Sequence, residues 1–573
     1  MPVGDDSARW ATRGGTHKVL LVVHNVTSAT RLLDILPLFD DDLRVQLLVT
    51  CTESSAFRAG VAELLAETGV PVLPWEQAVE TPVALAIAAS FGGQLPDIIG
   101  HLAILSHGIG YTKRLATTRH PTAGGGSSEV GGPVFGLSPE WLLDKDGVPV
   151  ADALVLSHPE QYERLRTACP EAVPTAVLAG DPCWDRMLAA RPYRDRFRRA
   201  LGVRAGQRLV VLNSTWNPES LFGDGDGGDG HGDDILPSLL PRLTSEFPAD
   251  EYRFAAVLHP NIWHGHGPGQ IRAWLDRARR SGLALIDPLH GWRQALIAAD
   301  AVIGDHGSVT YYVAALGTPV LLGAAPLAGL APDAPVHDFV RDAPRLDPAL
   351  PLRLQVETVV SDHHPRPEPA EFTSSVPGES AGRLRRLFYD ALGIPEPTEP
   401  ALLNPLPLPP HEPPSHTVPL LVLTRLLGTA EVEVTRYARP HPPADSTGEA
   451  HVAVHEDTRE THQLALADVV FRYGAPDDVR FGSPEQWTSE ALALHPHCSL
   501  TAYVSGPGDC TIRTRDGELL SLRAESGSDA DPAAYASALY AWLAAGKSLD
   551  EPVALGLTVR TGAVTHRATV TRR

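Results

Sequence analysis

Three short segments carry residues whose types and spacing suit chemistry on a phosphorylated substrate. The first is Gly304-Asp305-His306-Gly307-Ser308-Val309-Thr310. Ahead of it, Ala301-Val302-Ile303 reads as a short buried strand; behind it, residues 309–316 read as a helix closed by Gly317-Thr318-Pro319. Strand, glycine turn and helix start together build an anion cradle, because free backbone N–H groups and the positive helix end point at whatever sits above the turn. Ser308 and Thr310 add hydroxyl donors, and His306 and Gly307 complete the turn. Asp305 either accepts from a ribose hydroxyl or caps the helix.

The second segment is Val257-Leu258-His259-Pro260-Asn261. Proline fixes the exit from a strand, so the His259 imidazole is aimed at the ligand side, where a hydrogen bond to a diphosphate stabilises the leaving nucleotide. The plainer alternative is a histidine that caps the strand end. The third is Leu105-Ser106-His107-Gly108-Ile109-Gly110-Tyr111-Thr112-Lys113-Arg114. His107 titrates close enough to neutrality to take a proton from an acceptor hydroxyl, with a capping histidine in a glycine loop as the alternative. Gly108 and Gly110 let backbone approach a ligand closely, and Lys113 or Arg114 can hold an anionic acceptor. Ser214-Thr215-Trp216 is a further phosphate or base contact, and Asp287-Pro288 and Gly291-Trp292 fall near the expected base pocket.

These segments need rigid elements to bring them together. Apolar runs at 18–23, 45–50, 71–73, 85–90, 98–105, 153–157 and 177–179 alternate with helical stretches, which implies parallel strands covered on both faces. An Arg-rich helix over 193–201 leads into a second set at 209–212, 255–258, 284–286, 301–303 and 320–322. The expected class is α/β: two doubly wound, Rossmann-like domains in tandem, the arrangement called GT-B, with ligands in the cleft beyond the carboxyl ends of the strands. We place the first domain, on the acceptor side, at 1–190 and the nucleotide-donor domain at 191–395. A proline-rich, semi-rigid linker follows at 396–416. Residues 417–573 read as an accessory α+β domain, with strands at 431–437, 451–455, 500–504, 510–515 and 553–560 and a helix over 532–545.

Composition narrows the classes. At 573 residues the chain exceeds one ordinary core, and a net charge of −21 argues against nucleic-acid or anionic-surface binding. Five dispersed cysteines read as reduced thiols without zinc spacing. No apolar run reaches membrane-spanning length, so the expectation is a cytoplasmic protein, peripheral at the inner membrane face if its acceptor is lipid-linked. Neither a metal site nor a cofactor is expected: His264 and His266 have no third ligand nearby in sequence, and the run GDGDGGDGHGDD lacks the order of a calcium loop. Gly546-Lys547-Ser548 imitates a phosphate loop, but Ala541 stands where the required glycine would be, and a GxSxG nucleophile elbow is absent.

Residues Ala299-Asp300-Ala301-Val302-Ile303-Gly304-Asp305-His306-Gly307-Ser308 resemble a segment of the CDP-glycerol glycerophosphotransferases, within the wider GT-B group. His306-Gly307 replaces that family's usual Tyr-Ser. Ser106-His107-Gly108 with Lys113 is similar to the family's His-Gly motif, although Ser106 stands where tryptophan is common. His259-Pro260 matches a His-Pro motif shared with UDP-N-acetylglucosamine 2-epimerases, and Gly180-Asp181-Pro182 with Asp185 resembles the hinge that ends the first domain. The resemblance spans roughly 90–330. It implies a nucleotide-diphosphate donor, a hydroxyl acceptor such as a cell-surface polymer or lipid-linked chain, His107 as base, and phosphate neutralisation without bound metal. The alternatives are a UDP-sugar glycosyltransferase or 2-epimerase, and a non-catalytic GT-B scaffold that binds a nucleotide or partner.

Overall fold

The computed structural model describes residues 12–52, 54, 59–106, 108–114, 132–225, 234–413, 416–439 and 447–573. The first domain is built on a parallel sheet of seven strands, β1 (His17–Val23), β2 (Val45–Cys51), β3 (Val72–Leu73), β4 (Leu85–Ala88), β5 (His101–Ile104), β6 (Ala153–Leu156) and β7 (Ala176–Leu178), in the order β3-β2-β1-β4-β5-β6-β7. Side chains alternate across a strand, so the unbroken apolar run of β1 serves two layers. Val19, Leu21 and Val23 join one core, while Leu20 and Val22 join the other.

The second domain repeats the plan with five parallel strands, β8 (Arg208–Ser214), β9 (Tyr252–Leu258), β10 (Ala284–Leu285), β11 (Ala301–Gly304) and β12 (Val320–Leu322), ordered β10-β9-β8-β11-β12. Leu209 and Val211 face one layer, Val210 and Leu212 the other. Strand order reverses between β1 and β4 and again between β8 and β11, which opens a crevice at the carboxyl ends of those strands. This is a GT-B-like α/β architecture.

Two later segments lock the domains. Helix Ser380–Leu392, within the 191–395 stretch, returns to the first domain, where Leu384, Phe388, Tyr389 and Leu392 pack among Val19, Leu21 and Phe39. The proline-rich segment, expected as a linker, is pinned along the surface as a strap. Arg186 donates to the Asn404 carbonyl at 2.8 Å and Gln294 to that of Pro407 at 2.8 Å, while Leu406 is buried in the second-domain core.

The C-terminal part is a closed barrel of β13 (Leu420–Gly428), β14 (Glu431–Tyr437), β15 (Glu449–His455), β16 (Val469–Tyr473), β17 (Leu500–Val504), β18 (Asp509–Thr514), β19 (Leu519–Ala524), β20 (Leu557–Thr561) and β21 (Val564–Arg572). Helix Pro532–Ala544 is apolar all round because the barrel surrounds it: Ala534, Tyr535, Ala538, Leu539 and Trp542 are buried against strands including β13, β14, β17 and β20. The strand expected over 553–560 is corrected. Asp550–Leu555 is a helix, Gly556 turns at φ 79°, and β20 begins at Leu557. Gly546 follows the buried helix at φ 72°, a helix end rather than a phosphate loop. Arg436 docks the barrel, donating to Asp250 of the second domain and, at 2.8 Å, to Asp531.

Candidate functional site

A cleft of about 340 Å³ lies between the two α/β domains. Its lining comes from the segments that follow β1, β4, β8 and β11, from the loop after β5, from the strand end at His259, and from Pro288 and Trp292 after β10. The two sheets therefore present their switch points to one another.

On the second-domain side, Gly307 is the N-cap of helix Ser308–Ala315, and no side chain caps that end. Gly307 and Ser308 line the cleft, so the positive end of the helix opens toward it. Ser214, Thr215 and Trp216 form the neighbouring wall. His259 caps helix Pro260–His266, its Nδ1 accepting from the Asn261 amide at 3.1 Å. That cap leaves Nε2 as the protonated nitrogen of the neutral ring, 3.4 Å from Thr27 Oγ1 of the first domain. One nitrogen of His259 therefore caps, and the ring also lines the cleft.

Asp305, His306 and Thr310, expected at the ligand, are placed differently from Gly307 and Ser308. All three are buried beneath the lining. Asp305 Oδ2 accepts from the amides of Thr215 at 2.8 Å and Leu221 at 3.1 Å and lies 3.2 Å from Ser214 Oγ. Its Oδ1 accepts from the Gly307 amide at 2.9 Å. Three of these contacts converge on Oδ2 and one reaches Oδ1, so Asp305 ties the β8 loop to the cradle. Thr310 Oγ1 accepts from Asn213 Nδ2 at 2.8 Å and holds the turn from inside. Burial lowers the His306 pKa below its ordinary value, Lys113 adds to that, and the ring is neutral at pH 7.

On the first-domain side, the loop after β5 reaches across. Arg114 donates its amide to the Gly329 carbonyl at 2.9 Å, and the Ala331 amide donates to the Thr112 carbonyl at 2.8 Å. Gly108 has φ 91°, and a Cβ there would lie 2.8 Å from Ser308 Oγ, so glycine is needed for the two domains to approach. Tyr111 adopts φ 62°, a strained value for a bulky residue. Lys113 lines the cleft with its ammonium 5.8 Å from the Trp216 ring. Burial lowers its pKa, with Asp305 and Glu219 opposing. His107 lies outside the described residues; its neighbours Ser106 and Gly108 both line the cleft.

Sequence reasoning missed the first βα turn. Asn25, Thr27, Thr30 and Arg31 line the cleft from helix Val26–Ile35. Asn25 accepts from the Ser28 amide at 2.9 Å, a capping box at the carboxyl end of β1, and that combination was the available signal. The His264-Gly265-His266 pair is structural: His264 packs against Gly60, and His266 lies 4.9 Å from the Trp274 ring. Among the described residues, no three His, Cys, Asp or Glu side chains are placed to hold a metal ion, and no helix is long and apolar enough to cross a membrane.

No family model and no curated protein matches the chain. Among solved structures it is similar to the wall teichoic acid polymerase TagF, at 12% identity over 66% of this chain and 88% of that one, with a TM-score of 0.44. It is also similar to the UDP-GlcNAc 2-epimerase of Neisseria meningitidis bound to UDP-GlcNAc, at 12% identity over 66% and 99% of the two chains and a TM-score of 0.36. A glycosyltransferase from Rickettsia africae stands at 9% identity, over 66% and 99%, with a TM-score of 0.36. These likenesses concern the fold, which the strand orders of the two sheets establish on their own.

Proposed function

We propose that this protein is a transferase that takes a nucleotide-diphosphate donor and passes its glycerol phosphate, or a sugar, to an acceptor hydroxyl. The observation that carries this reading is the meeting, in one interdomain cleft, of an uncapped helix N-terminus at Ser308, the imidazole of His259 and the ammonium of Lys113. Three donors of positive character around one space suit a diphosphate better than a neutral ligand. The helix end and His259 would stabilise negative charge on the leaving phosphate, and Lys113 would neutralise a further oxygen. Phe91, Tyr111 and Phe135 give the first-domain wall an aromatic face suited to the less charged partner.

His107 would act as base, removing the proton of the acceptor hydroxyl as its oxygen attacks. If the β-phosphorus is attacked, nucleoside monophosphate leaves; if the anomeric carbon of a sugar, nucleoside diphosphate leaves. The motif resemblance of Ser106-His107-Gly108 and His259-Pro260 to the glycerophosphotransferases favours the first.

Calorimetric titration with CDP-glycerol, CDP, CMP, UDP-sugars and UDP tests the reading. Preference for cytidine ligands, lost in Ser308→Ala, supports glycerol phosphate transfer. Preference for uridine ligands moves the activity to sugar transfer, and binding to none refutes both. His107→Ala is expected to lose turnover with nucleotide affinity retained; unchanged turnover removes it as base.

A further inference from the structure

Thr27, Thr30 and Arg31 share one face of helix Val26–Ile35, at spacings of three and four residues, and that face looks across the cleft. The Arg31 guanidinium sits 5.6 Å from the Trp292 ring and 5.7 Å from the Tyr312 ring, both in the second domain. Its side chain is only 10% exposed, and it lines the cleft. Among the described residues, Nη1 is buried without a hydrogen-bond partner.

Arg194 and Arg198, two arginines away from the cleft, look different. Arg194 donates to the carbonyls of Ile297 and Ala299 and to Asp300; Arg198 donates to Ala298, Gln207 and Asp300. Among the described residues the carboxylate within 4 Å of Arg31 is Asp34, at 3.9 Å, which already pairs with Arg186 and Arg293. The next, Asp181, accepts from the Tyr312 hydroxyl. Three guanidinium groups therefore meet two carboxylates, and the member left short of a partner is the one that lines the cleft. A buried cation of this kind is costly unless an anion completes it.

We propose that Arg31 is an anion-recognition residue of the cleft, placed beside the rings of Trp292 and Tyr312 to take phosphate oxygens of the substrate. The inference rests on the cleft being the substrate site. The phosphate belongs either to the donor diphosphate or to the acceptor. A planar guanidinium can bind two phosphate oxygens at once, which a lysine would not reproduce.

The test is calorimetry of the full chain with inorganic pyrophosphate, with CDP, and with glycerol 3-phosphate added to CDP-loaded protein. Arg31→Met and Arg31→Lys are compared with the native chain, and thermal unfolding reports folding. The expected result is a loss of affinity of at least tenfold in Arg31→Met and a smaller loss in Arg31→Lys. Loss with pyrophosphate and CDP assigns Arg31 to the donor; loss confined to glycerol 3-phosphate assigns it to the acceptor. Native affinity for all three probes in the variants overturns the proposal, as does failure of the native chain to bind any. Should Arg31→Met not fold, Arg31→Lys decides, and native affinity there also overturns it. Arginine-dependent pyrophosphate binding without nucleotide binding would keep Arg31 and refute the transferase reading. Nucleotide binding indifferent to Arg31, with glycerol 3-phosphate equally indifferent, would do the reverse.

Discussion

The substitution Asp305→Asn asks whether a buried carboxylate outside the cleft sets the shape of the site. Asp305 Oδ2 accepts from the Thr215 and Leu221 amides, and Oδ1 accepts from the Gly307 amide. An asparagine has one acceptor oxygen, so its NH2 must face an N–H on one side. The less costly orientation keeps the oxygen on Thr215 and Leu221 and strands the Gly307 amide, at about 1–3 kcal/mol. Two surviving bonds lose their charge assistance, at roughly 1 kcal/mol together or somewhat more. The sum is about 3 kcal/mol, which corresponds to roughly a hundredfold in a local opening equilibrium. Global unfolding of a chain with three domains is not two-state, so the assay is native-state hydrogen exchange resolved to single amides. The Gly307, Thr215 and Leu221 amides should lose about two orders of magnitude of protection, while Val49 in the first domain and Ile512 in the barrel keep theirs. Affinity for CDP should fall with the cradle. Native protection at Gly307 and Thr215 in Asp305→Asn would refute the claim that this carboxylate organises the site.

Three further outcomes follow from the same geometry. In His259→Asn the short amide still caps helix Pro260–His266, so unfolding changes by only a few tenths of a kcal/mol, while CDP affinity falls about tenfold; retained affinity would leave His259 as a cap alone. Gly108→Ala forces a Cβ at φ 91° to within 2.8 Å of Ser308 Oγ, at about 1–2 kcal/mol of backbone strain plus the clash, and its effect on binding should shrink in a Ser308→Ala background; equal effects in both backgrounds would break the link between the two loops. Burial drives the pKa of His451 down to about 3 and that of His455 to about 4. Both stay neutral in the folded barrel while the unfolded chain protonates near 6.5. Barrel stability is therefore full above pH 6.5 and falls by about 3 kcal/mol per histidine as pH drops to 4. Exchange protection of the Val454 and Val470 amides should follow that slope, and His451→Leu should remove its share; a flat profile would contradict the burial of these rings.

The parallel sheets were legible because their strands read as unbroken apolar runs. Residues 18–23 and 301–303 announce burial on both faces without any help from partners. The barrel was harder for the same physical reason in reverse. Its β13 is buried over residues 420–424 and then exposes Arg425, and its β21 alternates buried His566, Ala568 and Val570 with exposed Thr and Arg, so half of the latter pattern faces water and its signal is weak. The helix inside announced itself as an alanine-rich run apolar on every side, and β14, β15, β17 and β18 were legible as strands, but their closure into a barrel was not. A strand over 553–560 looked continuous because Val553, Leu555, Leu557 and Val559 keep a period of two across what is a helix, a glycine turn and a strand.

The same limit divides the candidate site. Sequence marks the turn at 304–310 as one unit, yet its members point two ways. Ser308 is the first helical residue and meets the cleft, while Thr310, two positions on, turns into the protein and meets Asn213. Helical rotation of about 100° per residue is enough to part them. Asp305 sits where a ribose contact would be guessed, but the β8 loop has no other carboxylate against its amides at Thr215 and Leu221, so the fold claims that side chain before a ligand can. Arg31 shows the converse. It lies in a stretch that reads only as the first helix after β1, and nothing local sets it apart from Arg186 or Arg194. Its distinction is a shortfall of carboxylates counted across both domains, Asp34 and Asp181 against three guanidinium groups. A tally of that kind exists only once the chain is folded, which is why a motif can locate a phosphate site while the cation that completes it stays out of view.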